Sequence, residues 1–296
     1  FFLEVANVLT QYSIQSTAGI GRSRTAGSPV DRSIDLGLTY EESPAVSYAP
    51  LQGEKFVRQL LSPISLDTML LLYHSGWSIE RIFRCSIQQL GPLKNAPGAS
   101  GPTPDHAPEF REFTRAAKLL RELQVQGKIH FGAAQNGQGQ RMVLRFSPED
   151  AASPIARELR KLLGAGQDDA DLQLTTGVAA AGQIPVVTRS LMGVLFYLSH
   201  SIEVPEGDIE AGRVTLTKNK DDSPFDWSEV TEGLLQVRTG TWRPRNASVK
   251  IRYRGAWFYV DDSDLPSKST FSFLTQLLAL QSGEVKSSAP VLTIPS

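Results

Sequence analysis

Two runs of alternating residues near the N-terminus most constrain what this chain can fold into. In both runs apolar residues take even positions, while small polar residues and glycines take most odd positions. Because successive strand side chains point to opposite faces, each run predicts a ribbon with one apolar and one polar face. Residues 25–29 contain Gly, Ser and Pro and predict the turn of a long β-hairpin. The predicted apolar face comprises Tyr12, Ile14, Ala18, Ile20, Ile34, Leu36, Leu38 and Tyr40.

The predicted hairpin has two interpretations. It is either part of a soluble or subunit-bridging sheet, or a ribbon that inserts into a membrane. Each arm reaches the roughly 9 to 11 alternating residues that a transmembrane strand needs. Two strands cannot close into a barrel, so the outer backbone groups of a single hairpin would stay unpaired in lipid. Each unpaired group costs several kcal/mol. A pore would therefore require a ring of subunits, each of which contributes one hairpin.

Length and composition bound the class of protein. The chain has 296 residues, which allows one large domain or two ordinary ones. A composition of 41% hydrophobic and 21% charged residues is typical of folded proteins. The formal net charge of −1 gives no long-range attraction to phosphates, so we expect no nucleic-acid partner. The sequence starts at Phe1 within a patterned stretch, so we expect any signal peptide or lipidation site to lie upstream.

The rest of the chain predicts an α+β fold with three parts. These are an N-terminal β-hairpin region at 1–50, a small helical subdomain with a Pro-rich loop at 51–106, and a domain at 107–296 with an antiparallel sheet and packed helices. Helical periodicity at 54–61, 66–74 and 79–90 defines the subdomain, with Ser65 and Ser78 as caps. Five prolines between 91 and 108 predict the loop.

The last domain contains helices and strands in alternation. Helices are predicted at 109–126, 154–163, 189–201 and 270–281, and strands at 128–133, 140–146, 172–176, 213–217, 234–239, 248–254 and 257–260. The last three strands predict an antiparallel meander. Ser267 is predicted to cap the final helix. Arg157, Arg160 and Lys161 are predicted to be solvated on the outer face of their helix.

No catalytic signature occurs in the sequence. It contains no P-loop and no Gly-x-Ser-x-Gly motif, and its four histidines have no partner at metal-ligand spacing. We therefore expect no catalytic residue, no cofactor and no metal. The Asp-Asp-Ser-Asp sequence at 261–264 is the best polar cluster for Ca²⁺, but an Asp-rich turn that pairs with Lys268 is the commoner explanation. Cys85 is expected to be a buried apolar residue in a helix.

An aromatic strand at 253–259 offers a candidate partner surface. Trp257 and Tyr259 share a face by strand alternation, and Arg252 and Arg254 are adjacent in sequence. A place in the core explains such a strand sufficiently. On the surface it would favour carbohydrate, peptidoglycan or a protein partner. A local basic strip that suits an acidic partner, lipid head groups or solvent comprises Arg243, Arg245, Lys250, Arg252 and Arg254.

Several segments carry a family resemblance that spans nearly the whole chain except residues 92–182. They are YS at 12–13, SPAVSYAPLQGEKF at 43–56, LLSPI at 60–64, SGW at 75–77, TRSLM at 188–192, YRGAWFY at 253–259, SKSTF at 267–271 and PVLTIP at 290–295. In these segments the chain resembles a family of uncharacterised Gram-negative bacterial envelope lipoproteins. The resemblance implies a signal sequence, a lipid-attachment cysteine and a location on the periplasmic side of the outer membrane. It implies no activity, cofactor or catalytic residue.

Together these features predict a non-enzymatic, outer-membrane-associated lipoprotein. We expect it to self-assemble into an oligomeric ring, as a scaffold or a conduit, through hairpins paired between subunits. The expected partners are other copies of the chain, outer-membrane lipid and other envelope proteins. One alternative is a monomeric periplasmic binding lipoprotein that uses the aromatic strand. A second alternative is an envelope hydrolase whose site the sequence does not reveal.

Overall fold

A computed structural model of the chain describes residues 3–23, 31–50, 54–136, 139–167, 169 and 171–283. The chain separates into two compact units, one with the described residues up to Val57 and one that runs from Arg58 to Gly283. Helices and sheets both occur, which confirms the predicted α+β class. The predicted turn at 25–29 and the C-terminal segment at 290–295 lie outside the described residues.

The first unit is built on one long antiparallel hairpin, as the alternation of residues predicts. Its strands are β1 (Leu3–Ser23) and β2 (Asp31–Pro50), which pair along their whole length. A bulge in β1 separates the pair Val5–Tyr48 from the pair Val8–Val46. β1 has one extra residue at the bulge. Val5, at an odd-numbered position, and Val8, at an even-numbered position, therefore both lie opposite even-numbered residues of β2. The bulge therefore keeps the apolar alternation in phase to the start of the ribbon.

Three helices follow, and all three are predicted by the sequence. They are α1 (Glu54–Leu61), α2 (Leu66–His74) and α3 (Ile79–Ser86). The predicted caps of α2 and α3 are confirmed, because the hydroxyls of Ser65 and Ser78 accept hydrogen bonds from Thr68 N and Arg81 N. Cys85 is fully buried in α3, as expected.

Six strands form the main sheet of the second unit. They are β3 (Ile87–Leu90), β4 (Leu93–Lys94), β5 (Ile129–Asn136), β6 (Gly139–Phe146), β7 (Asp171–Thr175) and β8 (Gln183–Thr188). Their order is β4-β3-β8-β7-β6-β5. The β7–β8 pair is parallel and the other pairs are antiparallel, so this sheet is mixed rather than antiparallel throughout.

Residues 79–108, which include the Pro-rich stretch, differ from their prediction in two places. The predicted helix at 79–90 ends early, because Ile87 pairs with Thr188 in the sheet and its carbonyl accepts a 2.6 Å hydrogen bond from Asn95 Nδ2. Partners distant in sequence thus override the local helical pattern. The stretch at 91–108 is more ordered than the predicted loop, since it contributes β4 and a 3₁₀ turn at 97–100 whose Ala99 is buried.

Six more helices occur among the described residues of the second unit, and all of them except the helix at Glu206–Glu210 contribute buried residues to its hydrophobic core. They are the helices α4 (Arg111–Val125), α5 (Pro154–Leu163), α6 (Leu191–Ser199), α7 (Glu206–Glu210), α8 (Ser228–Thr231) and α9 (Leu265–Gly283). One face of α4 is buried in the core, with Phe113, Ala116, Leu119, Leu120 and Leu123. The predicted strand at 213–217 does not form. In the part of the chain that the structure describes, every helix is too short or too polar to cross a bilayer.

A smaller, three-stranded sheet lies near the C-terminal end of the second unit. Its strands are β9 (Arg238–Gly240), β10 (Ala247–Tyr253) and β11 (Ala256–Asp261). All pairs are antiparallel, but the order is β10-β11-β9, so the predicted meander is wrong. β11 lies in the middle of the sheet, because it pairs with β10 on one side and with β9 on the other. A tight turn joins β10 to β11. Val260 of β11 is buried in the core and anchors one end of this sheet.

Candidate functional site

The β1–β2 ribbon has two open edges. It is a two-stranded sheet, and among the described residues no third strand pairs with either strand. With 21 residues in β1, the ribbon is about 70 Å long at the usual rise of a strand. An edge strand leaves one side of its backbone N–H and C=O groups unpaired, which is a template for another strand. The ribbon therefore has two edges of this length at which its backbone lacks a partner strand among the described residues.

The register places the predicted ribbon residues opposite one another. Three pairs within this set are directly opposed, namely Ile14–Tyr40, Ala18–Leu36 and Ile20–Ile34, whereas Leu38 lies opposite Ser16 and Tyr12 lies opposite Glu42. Directly opposed residues belong to the same face of a sheet. The eight predicted positions therefore share one face of the ribbon by register. The odd-numbered residues between them belong to the other face in the same way, whereas Ser16 belongs to the same face as Leu38.

The predicted partner surface lies on the β10–β11 pair. Arg252 lies opposite Trp257 and Lys250 opposite Tyr259, so the arginine, the lysine and both aromatic residues share one face. Trp257 and Tyr259 are half-buried, and Arg252 is exposed. Arg254 lies in the turn between the strands, with a positive φ of 48°. The structure thus brings the four predicted residues onto one strand pair, with Tyr259 next to Val260 and with Arg252, Arg254 and Trp257 at the end remote from Val260.

This end of the sheet carries exposed arginine and aromatic side chains, which we call the basic tip. Its members are Trp242, Arg243, Arg252, Tyr253 and Arg254. The guanidinium of Arg243 lies 5.9 Å from the ring centre of Trp257, and that of Arg254 lies 5.9 Å from the ring centre of Tyr253. The side chain of Trp242 is 87% exposed, which is unusual for the largest aromatic residue. Exposed aromatic and arginine side chains are the residue types enriched at protein interfaces.

A large cleft opens elsewhere on the second unit, between the segments 200–238 and 261–267. Its volume is about 1100 Å³, which exceeds the range typical of small-molecule sites. Six carboxylate side chains line it against a single guanidinium, that of Arg238. We call this feature the acidic cleft; its carboxylates are Glu203, Asp226, Glu229, Glu232, Asp261 and Asp264.

One part of the acidic cleft is apolar. Four aliphatic side chains that line it are each 38–39% exposed: Ile202, Val204, Ile209 and Leu216. Beside them the His200 ring stacks on Trp227 with centres 3.9 Å apart. Burial lowers the pKa of His200 below its ordinary value, so the ring is mostly neutral at pH 7. The cleft therefore combines apolar positions with a lining of net negative charge, in which Glu229 is already paired with Arg111 at 2.7 Å.

The Asp-rich turn at 261–264 is satisfied locally. Asp261 accepts hydrogen bonds from Ser263, which lowers the pKa of its carboxyl group. Asp262 forms a 2.9 Å ion pair with Lys268, which confirms the predicted pairing. Asp264, rather than Ser267, caps the last helix, because its carboxylate accepts from Ser267 N at 3.1 Å. No group of His, Cys, Asp and Glu in the described ranges has an arrangement suited to a metal ion.

Two buried arginines that the sequence did not single out shape the surroundings of the cleft. Arg189 is 1% exposed and donates to the carbonyl oxygens of Arg84, Cys85, Ile87 and Asn95. Burial lowers its pKa to about 10, which leaves it charged at neutral pH. Arg84 in turn donates to the carbonyl oxygens of Val230 and Glu232, at 3.0 and 2.8 Å. The backbone of the cleft wall at 230–232 is thereby fixed to α3.

The helix α5 contains a third buried arginine, which corrects a prediction. Arg160 is 1% exposed rather than solvated. It donates to the carbonyl oxygens of Ala151 and Asp169, and its guanidinium lies 4.4 Å from the ring centre of Phe146. Only Arg157 and Lys161 of the predicted set are exposed.

Comparison with known proteins adds no identification. No protein-family model, no curated protein and no solved structure matches the chain. The resemblance to envelope lipoproteins stays a prediction, and the functional interpretation rests on the geometry of the ribbon, the basic tip and the acidic cleft.

Proposed function

We propose that this chain is a structural protein that assembles with copies of itself through the β1–β2 ribbon. The observation that carries the proposal is a ribbon of two paired strands, 21 and 20 residues long, whose edges have no partner strand among the described residues. Natural proteins protect long edges with charge, proline, bulges or a covering element. Residues 13–21 of β1 contain neither charge nor proline, which leaves this edge suited to pairing with another copy.

Copies can join by adding β2 of one ribbon to β1 of the next. The new pair is antiparallel, like the pair within each copy, so every copy extends the sheet by two strands. The addition of copies continues until the sheet closes on itself, because a closed ring has no edge left. Any number of copies then gives an even number of strands, as in bacterial outer-membrane barrels.

The proposal includes contact with the outer membrane on its periplasmic side. A strand needs about 9 to 11 residues to cross the hydrocarbon layer, and each ribbon strand has about twice that number. The alternation over 12–23 and 33–41 meets this length. The ring then acts as a scaffold or as a conduit whose lumen is lined by the small polar residues. The location itself rests on the resemblance to envelope lipoproteins.

The test uses two differently tagged full-length copies that each carry one new cysteine. One copy carries Gln15→Cys in β1, and the other carries a cysteine at one position of β2, scanned over residues 35–41. The copies are co-expressed, extracted in detergent, oxidised and resolved on a denaturing gel. Cys85 does not compete, because it is fully buried and burial raises the pKa of its thiol to about 11.

We expect a disulfide-linked dimer that contains both tags, with a yield that alternates with period two along β2. Alternation follows because only every second residue of β2 shares the face of the β1 cysteine. In the matched control both copies carry only Gln15→Cys, and no dimer forms since two β1 strands are not neighbours in the proposed ring. Cross-linking at no β2 position, together with a monomeric mass in detergent, contradicts the proposal. Single-channel conductance in a planar bilayer then separates a conduit from a scaffold.

A further inference from the structure

The second unit carries two surfaces of opposite charge that the proposed ribbon contact does not use. The acidic cleft presents six carboxylates and one guanidinium. In the basic tip, Arg243, Arg252 and Arg254 form no ion pair with any described carboxylate. On the cleft rim the side chain of Glu232 likewise has no partner among the described residues. We propose that the acidic cleft of one copy receives the basic tip of a neighbouring copy; the inference deepens the assembly function proposed above and rests on it.

The two surfaces match in apolar character as well as in charge. The cleft offers Ile202, Val204 and Leu216 as exposed aliphatic side chains, and the tip offers Trp242 and Tyr253, of which Tyr253 is 60% exposed. Aromatic side chains that enter an apolar pocket while arginines meet a charged rim are the usual anatomy of a protein interface. A cleft of about 1100 Å³ is large enough for several side chains of a hairpin turn.

The contact is between copies because a chain cannot fill its own cleft in this way. Asp261, at the anchored end of β11, lines the cleft, whereas Ala256 adjoins the turn at the tip. The five residue steps from Ala256 to Asp261 extend over about 17 Å at the usual strand rise. The tip of the rigid sheet therefore points away from the cleft at its base. The contact is head-to-tail when a surface at one end of a copy binds a different surface at the other end of the next copy. Such contacts form a ring when the rotation between successive copies adds up to a full turn.

The size of the contact suggests how it works with the ribbon. A hairpin turn in a cleft buries less surface than a stable, free-standing interface requires, and its exposed charge pairs are individually weak. Ribbon pairing holds neighbouring copies together and raises the effective concentration of the tip near the cleft. The tip–cleft contact then sets the orientation of each second unit relative to that of the next copy.

The test is a charge swap in the full-length protein in detergent. One variant reverses the tip, with Arg252→Glu and Arg254→Glu, and the other reverses the rim, with Glu232→Arg. All three side chains are exposed, so circular dichroism is expected to be unchanged. We expect each variant alone to need about tenfold higher protein concentration for assembly, measured by mass photometry at low salt. An equimolar mixture of the two variants is expected to assemble at a lower protein concentration than either variant alone, because the reversed tip of one variant meets the reversed rim of the other and the opposite contact keeps its native charges.

Matched controls reverse exposed charges away from both surfaces, with Arg157→Glu on α5 and Glu149→Arg before it. These variants are expected to assemble normally. If the tip and rim reversals also assemble normally while the ribbon cross-links form, the tip–cleft proposal is wrong and the ribbon proposal stands. If assembly responds to the charge swap but no ribbon cross-link forms, the ribbon proposal is wrong and the tip–cleft contact stands. The tip variant is also tested for binding to vesicles of anionic lipid. If it no longer binds the vesicles but assembles normally, the tip is a lipid site and the inference is overturned.

Discussion

Replacement of Arg189 by methionine tests the structural role of the buried arginines. In the folded chain this guanidinium donates to four carbonyl oxygens and to the hydroxyl of Ser100. Its centre lies 4.0 Å from the ring centre of Tyr197. No carboxylate among the described residues neutralises it. The arginine is therefore held entirely by backbone dipoles, a hydroxyl and an aromatic face.

The expected cost follows from the groups that lose their donor. The carbonyl oxygens of Arg84 and Ile87 keep a second donor in Asn95 Nδ2, at 2.9 and 2.6 Å. Those of Cys85 and Asn95 lose the guanidinium, and a buried oxygen without its donor costs about 1–3 kcal/mol. Loss of the contact with the aromatic ring adds about 1–2 kcal/mol, and relief of the buried charge offsets part of the total. We expect the Arg189→Met variant to lose about 3–5 kcal/mol of unfolding free energy.

Tryptophan fluorescence during urea denaturation of the full-length protein measures this loss. All four tryptophans of the chain, at 77, 227, 242 and 257, lie in the second unit, so the signal reports the unit that contains Arg189. The Arg189→Lys variant keeps the charge but not the planar fork, and it is expected to lose nearly as much. Arg157→Met is the matched control at an exposed arginine, with an expected change within about 0.5 kcal/mol. An Arg189→Met loss below about 1 kcal/mol would refute the reasoning.

Three further predictions concern other buried groups. Arg160→Met is expected to lose about 2–4 kcal/mol in the same assay, because the carbonyl oxygens of Ala151 and Asp169 lose their donor; equal stability would show that water replaces the guanidinium. Cys85 is expected to resist a thiol reagent at pH 8 in the folded protein and to react fully in urea, because its pKa is raised to about 11 and the side chain is buried. The pKa of His200 is lowered on folding, so the unfolded chain binds more protons there, and this residue's contribution to stability falls as pH drops below its ordinary value of about 6.5. A His200→Phe variant is expected to lose that part of the pH dependence, and an unchanged pH profile would contradict the assignment.

The ribbon and most helices could be predicted from the sequence because their signals are local. Alternation of residues is enough to place the parts of β1 and β2 at 12–23 and 33–41, and the hydroxyls of Ser65 and Ser78 cap helices within three residues of their own position. The strand β3 could not be predicted in the same way. Its residues continue a helical pattern, and only its partner strand β8, far along the chain, ends that helix.

The candidate site was only partly accessible to sequence reasoning. The arginine and aromatic residues of the basic tip are neighbours in sequence, so their pattern is visible. The acidic cleft is not visible, because its carboxylates come from segments between 203 and 264 that meet only in the folded unit. Arg160 was predicted to be solvated because it lies on an amphipathic helix. Its position in the sequence does not reveal that its long side chain reaches the carbonyl oxygens of Ala151 and Asp169.

The most direct test of the account is an electron cryomicroscopy structure of the full-length protein extracted in detergent. The account predicts a continuous sheet in which β2 of each copy pairs with β1 of the next, with two strands per copy about 4.8 Å apart. A structure in which both ribbon edges of every copy lack a strand from another copy would contradict it.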